Sequence, residues 1–465
     1  MDALIDSFRR ARAGGDGYAL ASTITPVPPK KDAGLLYAFY RSTNAFSVQS
    51  DVRHRLASNH ALHMPKAEAS AWTEVLVAYW KAIGEILAAE ETTFQKRDAD
   101  WAKVYDAWKD LVNALIKGYS ANHFPAWTIP CLYVASRYLR IFAIKADEVA
   151  AKAKTKPTFS SGLQDDIAGT FGKNDKLEDA ARQINRIFSL CISDRYAALE
   201  PLEDSRKWAL YYIANMLFKT YFKLNAVALS KNVLRSLHAS RNDMPPFEAF
   251  PKAHQVTFKY YSGVLSFLEE DYQQAEEHLT EAWKLCHKDA KKNCELILTY
   301  LVPCHLLNTH TLPSAALLAP FPRLQRLFVP LATCIKKGDL AGFDSALAAG
   351  EEEFVKRRIY LTLERGRDIV LRNLFRKVFI AGGYEPPKDG QSDQIQVRRT
   401  RIPIAEFGAA LNLSMRCREG ESIDNDEVEC LLANMIYKNL MKGYISREHG
   451  KIVLSKAGAF PGTGV

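Results

Sequence analysis

The chain lacks any apolar run approaching the roughly 20 residues that span a bilayer, and Met1 to Arg12 mixes acidic and basic residues where a secretory leader would carry an apolar block. A soluble, intracellular protein with no membrane contact is expected. It also lacks a Cys-x-x-Cys pair. Its eight cysteines, Cys131, Cys191, Cys286, Cys294, Cys304, Cys334, Cys417 and Cys430, are scattered, mostly within apolar helical stretches. That pattern fits reduced thiols and excludes a disulfide framework or a cysteine-built zinc site. His54, His60 and His63 lie close together, but no acidic residue stands at a ligand-helix offset, so neither a metal nor another cofactor is expected. Catalytic signatures are missing as well: there is no phosphate-binding glycine loop, no Gly-x-Ser-x-Gly elbow and no His-x-His followed by a distant Asp. Cys286-His287 and Cys304-His305 are adjacent pairs, and helix neighbours point in different directions, so neither makes a nucleophile with its base. The expectation is a protein that is not an enzyme.

What is present is helical periodicity, carried by 48% hydrophobic residues over 465 positions. Trp72, Val75, Leu76, Tyr79, Trp80, Ile83 and Leu87 form one helix face; Trp101, Tyr105, Trp108, Leu111 and Leu115 form the next, with a further helix from Ile129 to Ala146. The aromatics are spaced for packing. Residues 1–150 read as an N-terminal helical region, and 151–176, rich in Lys, Ser, Gly and Asp, as an exposed loop. Residues 177–354 resume the pattern. There Gly263, Ala275, Leu279 and Ala282 stand at the spacings of the small and apolar positions of a tetratricopeptide-like hairpin, with Tyr272 opening its second helix. Lys337-Gly338-Asp339 followed by Phe343, Ala346 and Leu347 predicts another turn between helices, the second running from Phe343 to Phe354. Each pair leaves an apolar face that only a neighbour can cover, so the region reads as a solenoid.

Residues 355–465 read differently. A long helix is expected from Ile359 to Ala381, then a β-prone stretch at Ile395 and Val397, then a short helix from Ile404 to Leu411. Val428, Leu431, Leu432, Met435, Ile436 and Leu440 predict a main helix of roughly five turns, capped by Asp424 and Glu427 and stopped by Gly443. Tyr444-Ile445-Ser446 and Lys451 to Ser455 form a hairpin around Arg447-Glu448-His449-Gly450. A helix followed directly by a hairpin suggests a winged helix. The fold class is therefore mainly α: a tetratricopeptide-like solenoid capped by a C-terminal winged helix.

A helical stack running without a linker into a winged helix is similar to the PCI domain, the module shared by proteasome-lid, signalosome and translation-initiation scaffolds. The wording of Ser205 to Trp208, Phe218 to Lys223, Gln255 to Tyr261, Leu371 to Val378, Asp426 to Asn434 and Lys442 to Ser446 resembles one branch of that family. This branch contains the PCI subunit of the nuclear transcription-and-export complex two and a paralogue named for the COP-nine signalosome. The resemblance runs from about Ala126 and is strongest after Lys207. It implies a nuclear, non-catalytic scaffold that pairs with a second PCI-domain protein through their winged helices. It also implies a very small acidic subunit shared with the proteasome lid as a partner, and a platform that holds RNA or DNA during mRNA maturation and export. The alternative is a purely protein-binding accessory subunit of a signalosome- or lid-like assembly.

The formal charge of +9 is concentrated, with about fourteen Lys and Arg against about six Asp and Glu between Lys356 and Arg418. Candidate phosphate contacts are Lys356, Arg357 and Arg358, expected to begin the first winged-module helix; Arg398, Arg399 and Arg401, flanking its first strand; Lys438 and Lys442, one turn apart on the main helix; and Lys451 on the hairpin. Asn434 is a weaker candidate on the main helix. Ile452, Val453 and Leu454 are candidates for strand addition by a partner. Lys219, Lys223, Lys259 and Tyr260 are candidates for an acidic partner.

Overall fold

The computed structural model describes residues 1–29, 32–57, 64–154, 174–194, 205–385, 398–416 and 423–463. The expected loop at 151–176, the β-prone Ile395 and Val397, and His60, His63 and Cys417 lie wholly or largely outside these residues. The chain divides into two compact units, Met1–Tyr261 and Ser262–Val465.

The first unit is built from α1 (Asp2–Ala13), α2 (Gly17–Thr23), α3 (Leu35–Arg41), α4 (Val48–Ala57), α5 (Lys66–Phe94), α6 (Trp101–Ser120), α7 (Pro130–Lys154), α8 (Asp175–Ile192), α9 (Leu210–Lys223) and α10 (Ala228–Ala239). The unit boundary falls within α11 (Lys252–Leu268). The aromatic stripes read from the sequence fill its core: Trp72, Tyr79, Tyr105, Trp108 and Tyr119 are all fully buried. The Trp72 indole N–H has no hydrogen-bond partner among the described residues, whereas the polar atoms of the other four are satisfied. The Trp108 indole N–H donates to the Ala135 carbonyl (2.9 Å), and the Tyr79 hydroxyl donates to the Thr25 carbonyl (2.8 Å). Asp147 on α7 accepts the N–H groups of Lys176 (3.1 Å) and Leu177 (2.9 Å), fixing where α8 begins.

The second unit continues with α12 (Tyr272–Leu285), α13 (Lys291–Asn308), α14 (Ala315–Leu318), α15 (Pro322–Lys337), α16 (Leu340–Ala349), α17 (Glu351–Lys356), α18 (Tyr360–Glu364) and α19 (Arg367–Ala381). The tetratricopeptide-like spacing is realised: a Cβ on Gly263 would stand 2.7 Å from Leu279 and 3.2 Å from the Ala275 carbonyl, so only glycine allows α11 and α12 this approach. Two expected helices are broken. Phe343 to Phe354 is interrupted at Gly350, which precedes α17, and Ile359 to Ala381 at Gly366 between α18 and α19. A Cβ on Gly366 would meet the Leu363 carbonyl at 2.8 Å; helical periodicity carries no record of such local crowding.

The terminal module adds β1 (Arg401–Pro403), α20 (Ile404–Met415), α21 (Asn425–Tyr437), β2 (Gly443–Ser446) and β3 (Lys451–Leu454), with the sheet in the order β1-β3-β2. This is a winged helix packed on helices of its own unit. Its attachment is chemical as well as apolar, because three carbonyls at the end of α15 find donors in the module. Asn373 donates to Ile335 (2.9 Å), Lys377 to Lys337 (2.8 Å) and Ser414 to Gly338 (2.7 Å). Gly338 adopts φ 68°, and its α-carbon lies so near the Leu374 backbone that a Cβ would be 2.8 Å from the Leu374 Cα.

The main helix is shorter than expected. It ends at Tyr437, and the left-handed residue that follows is Asn439 (φ 55°), not Gly443. Asn tolerates that conformation through its short polar side chain. Gly443 instead opens β2, where a Cβ would stand 2.5 Å from the Val453 carbonyl. Asp424 occupies the N-cap position without a side-chain cap bond.

Candidate nucleic-acid interface

Strand alternation sorts the hairpin into two faces. Arg401 pairs with Val453 and Val453 with Tyr444; the next row is Ile402, Ile452 and Ile445; the third is Pro403, Lys451 and Ser446. Ile402, Ile452 and Leu454 point inward to join Phe407, Leu411, Val428 and Leu432 in the core. The opposite face therefore carries Arg401, Val453, Tyr444, Lys451 and Ser446. Lys442 extends it: its carbonyl accepts the Ser455 N–H (2.9 Å), so strand-like pairing continues and alternation places it on the side of Tyr444.

Three cations on this face, Arg401, Lys442 and Lys451, are exposed, and among the described residues none has a carboxylate within 4 Å. The other cations of the module are largely engaged. Arg399 lies 3.6 Å from Glu406, Lys438 2.6 Å from Asp368, Arg416 3.1 Å from Asp339, and Arg447 3.0 Å from Asp426. Arg398 lies over the rings of Tyr384 (5.0 Å) and Phe379 (5.9 Å). Arg372 is buried and donates to the Pro461 carbonyl (3.3 Å); burial, and then the nearby Arg376, lower its pKa.

The structure corrects several candidate positions. Lys356 ends α17 rather than beginning a helix; Arg357 caps it and Arg358 is left-handed (φ 58°), because the chain reverses before α18. The contact seen there is with α13, whose Tyr300 hydroxyl donates to the Arg357 carbonyl (3.1 Å). Lys438 and Lys442 do not share a helix face, since α21 has already ended. Ile452 and Leu454 are core residues, and β3 is paired on both edges, so strand addition there is excluded; only Val453 of that trio reaches the outer face.

The main helix is unsuited to approach phosphate. Its first turns carry Asp426, Glu427 and Glu429 after Asp424, and carboxylates there oppose the attraction that a helix N-terminus would exert on an anion. Asn434 and Tyr437 are exposed farther along. The cationic surface of the module is thus the sheet face and not the start of the helix.

The candidates for an acidic partner lie in the first unit. Lys219 is half-buried, and burial, then Arg140 and Arg137, hold its ammonium below its usual pKa. Lys223 is 3.8 Å from Glu148, Lys259 lies over the Phe247 ring (5.2 Å), and Tyr260 packs on Tyr261. Arg137, Arg140 and Lys219 together form a positive cluster that sequence order did not reveal.

Neither Cys-His pair is arranged as a nucleophile. Burial pushes the Cys304 thiol up to about 12, while His305 faces Glu276 at 3.0 Å. Cys286 is pushed up to about 11 by burial and by the hydrogen bond from Cys294 (3.7 Å). Among the described residues no group of three His, Cys, Asp or Glu is placed to hold a metal, and no helix is long and apolar enough to cross a membrane.

Comparison with known proteins agrees with this architecture. A profile of the PCI domain matches residues 347–456. A Neurospora crassa protein named CSN12 homolog is 58% identical, with 100% of both chains covered. A Schizosaccharomyces pombe protein of the same name is 35% identical over 84% of this chain and 83% of its own. The Danio rerio PCI domain-containing protein 2 is 32% identical over 81% and 84% respectively. Helix pairs ending in a winged helix, and relatives aligned over most of both chains, make this protein a member of the PCI-domain family, in the branch of the CSN12 homologs and PCI domain-containing protein 2.

Proposed function

We propose that the chain is a non-catalytic scaffold subunit of a nuclear assembly that holds RNA or DNA during mRNA processing or export. Its partners in this reading are a second PCI-domain protein and the small acidic subunit shared with the proteasome lid. The observation that carries the nucleic-acid part is the outer sheet face, where Arg401, Lys442 and Lys451 are exposed with no carboxylate within 4 Å among the described residues. Charges placed this way bind phosphate with little sequence preference and release counterions as they do so. The acidic partner is supported by the Arg137, Arg140 and Lys219 cluster, in which burial, then Arg140 and Arg137, disfavour the charge on Lys219.

The test is fluorescence anisotropy of the full chain with labelled RNA and DNA as salt is varied. Changing Arg401, Lys442 and Lys451 to Glu should weaken binding at every salt concentration. Removing three phosphate contacts should flatten the log–log salt dependence by about 2 to 3. Unchanged affinity at low salt removes the nucleic-acid part.

One observation favours a second reading, a protein-only subunit: the carboxylates opening α21 repel phosphate at the start of the main helix. Affinity purification from nuclear extract with nuclease decides between them. Stoichiometric recovery of signalosome- or lid-type subunits that survives nuclease, with no bound nucleic acid in its absence, supports the second reading.

A further inference from the structure

Tyr444 is unusual among the residues of the outer sheet face. It is 64% exposed, yet it sits within a paired strand beside Val453, and no aromatic contact or hydroxyl partner is found for it among the described residues. Its neighbours on the face are cationic and few are apolar: Val453 and Pro403 are the only others without a polar side chain. Arg401 lies two strands across, about 10 Å away, and Lys442 two residues along, about 7 Å. Lys451 is the diagonal neighbour on the central strand. An exposed ring surrounded by cations that no carboxylate among the described residues neutralises matches the two needs of a nucleotide, a surface for the base and a charge for the phosphate.

From this arrangement we propose that the face selects single-stranded nucleic acid, with Tyr444 stacking on one base while Arg401, Lys442 and Lys451 take the flanking phosphates. This rests on the nucleic-acid reading above and adds the form of the ligand. In a duplex the base faces are covered by their neighbours, so the tyrosine ring has nothing to stack on. Groove reading by α21 is opposed by Asp424, Asp426 and Glu427 at its start. Stacking is also indifferent to base identity, because every base has a π face, so the proposal implies weak sequence preference.

The experiment compares labelled single-stranded RNA, single-stranded DNA and duplex RNA of equal length, by anisotropy, on the full chain at fixed salt. Tyr444→Ser should weaken single-strand binding about five- to a hundredfold, the range for losing one stacked base, and leave duplex binding within about twofold. Tyr444→Phe keeps the ring and should bind single strands like the unaltered protein; its circular dichroism and that of Tyr444→Ser verify folding. Arg401→Gln should weaken all three ligands and reduce the salt dependence, which Tyr444→Ser should leave unchanged. Equal loss on single strand and duplex, or no loss, with Tyr444→Ser overturns the stacking proposal while the cationic reading stands if Arg401→Gln still weakens binding. No effect from either substitution removes both.

Discussion

Replacing Gly338 and Gly450 by alanine, one at a time, separates two costs that a glycine can hide. Both residues are left-handed, with φ 68° and 57°. An L-residue in that region loses about 1–2 kcal/mol, so the two substitutions share this term. They differ in space. Around Gly450 nothing lies within 4 Å of an added Cβ, whereas at Gly338 it would meet the Leu374 Cα at 2.8 Å and N at 2.9 Å. Those are backbone atoms, which no rotamer change can clear. Relief requires α19 to move from α15, loosening the bonds from Asn373, Lys377 and Ser414 to the carbonyls of Ile335, Lys337 and Gly338. Overpacking of this kind costs about 1–3 kcal/mol beyond the backbone term. For a unit of about 200 residues, each kcal/mol shifts the melting temperature by about 2–4 °C. Gly338→Ala should therefore melt about 2–12 °C below Gly450→Ala in thermal scans followed by circular dichroism. Equal melting temperatures would show that the close docking of α19 on the end of α15 is not what holds the winged module in place.

Two further outcomes follow from buried titratable groups. His254 packs against Tyr133 and Tyr212 with Lys219 nearby, and burial, then Lys219, lower its pKa to about 4. The unfolded chain takes up this proton near pH 6.5 and the folded chain only near 4, so stability is unaffected above 6.5 and falls between 6.5 and 4, by about 3 kcal/mol at most. His254→Gln should flatten the melting-temperature profile across that window, and parallel profiles would refute the assignment. Burial pushes the thiols of Cys191 and Cys304 up to about 12, leaving about one molecule in ten thousand as thiolate at pH 8. Pulsed alkylation read by mass spectrometry should label the exposed Cys430 while leaving Cys191 and Cys304 unlabelled until unfolding; comparable rates would contradict their burial.

The fold was largely legible because long helices write their burial as periodicity. Trp72 to Tyr79 and Trp101 to Leu115 needed only regular spacing to declare a core face, and Gly263 with Leu279 needed only the small-residue signature. Helix ends were less legible. Gly350, Gly366 and Asn439 end or divide helices where a neighbouring ring, a neighbouring carbonyl and a tolerated left-handed angle respectively are found, and none of these leaves a periodic trace. The site was legible in its composition and obscure in its arrangement. Arg401, Lys442 and Lys451 were all among the cations read from the sequence, but only strand register shows that they share a face with Tyr444. The alternation of exposed Tyr444, inward Ile445 and outward Ser446 was the available signal, and its weight depended on β3 being the central strand.

The excess of basic residues in the terminal module is thus an unreliable guide to function until its internal uses are subtracted. Folding consumes many of these charges: Arg365 on Glu270, Arg367 on Asp344, Arg416 on Asp339 and Lys438 on Asp368, with Lys377 on a helix-end carbonyl and Arg398 over two rings. A charge already facing a carboxylate offers a phosphate little, because the incoming anion must compete with a partner that is held in place at no further entropic cost. Among the described residues, Arg401, Lys442 and Lys451 are left together on one sheet face after that subtraction. Position, and not net charge, is what distinguishes Arg401 from its neighbour Arg399, two residues earlier in the chain and partly neutralised by Glu406.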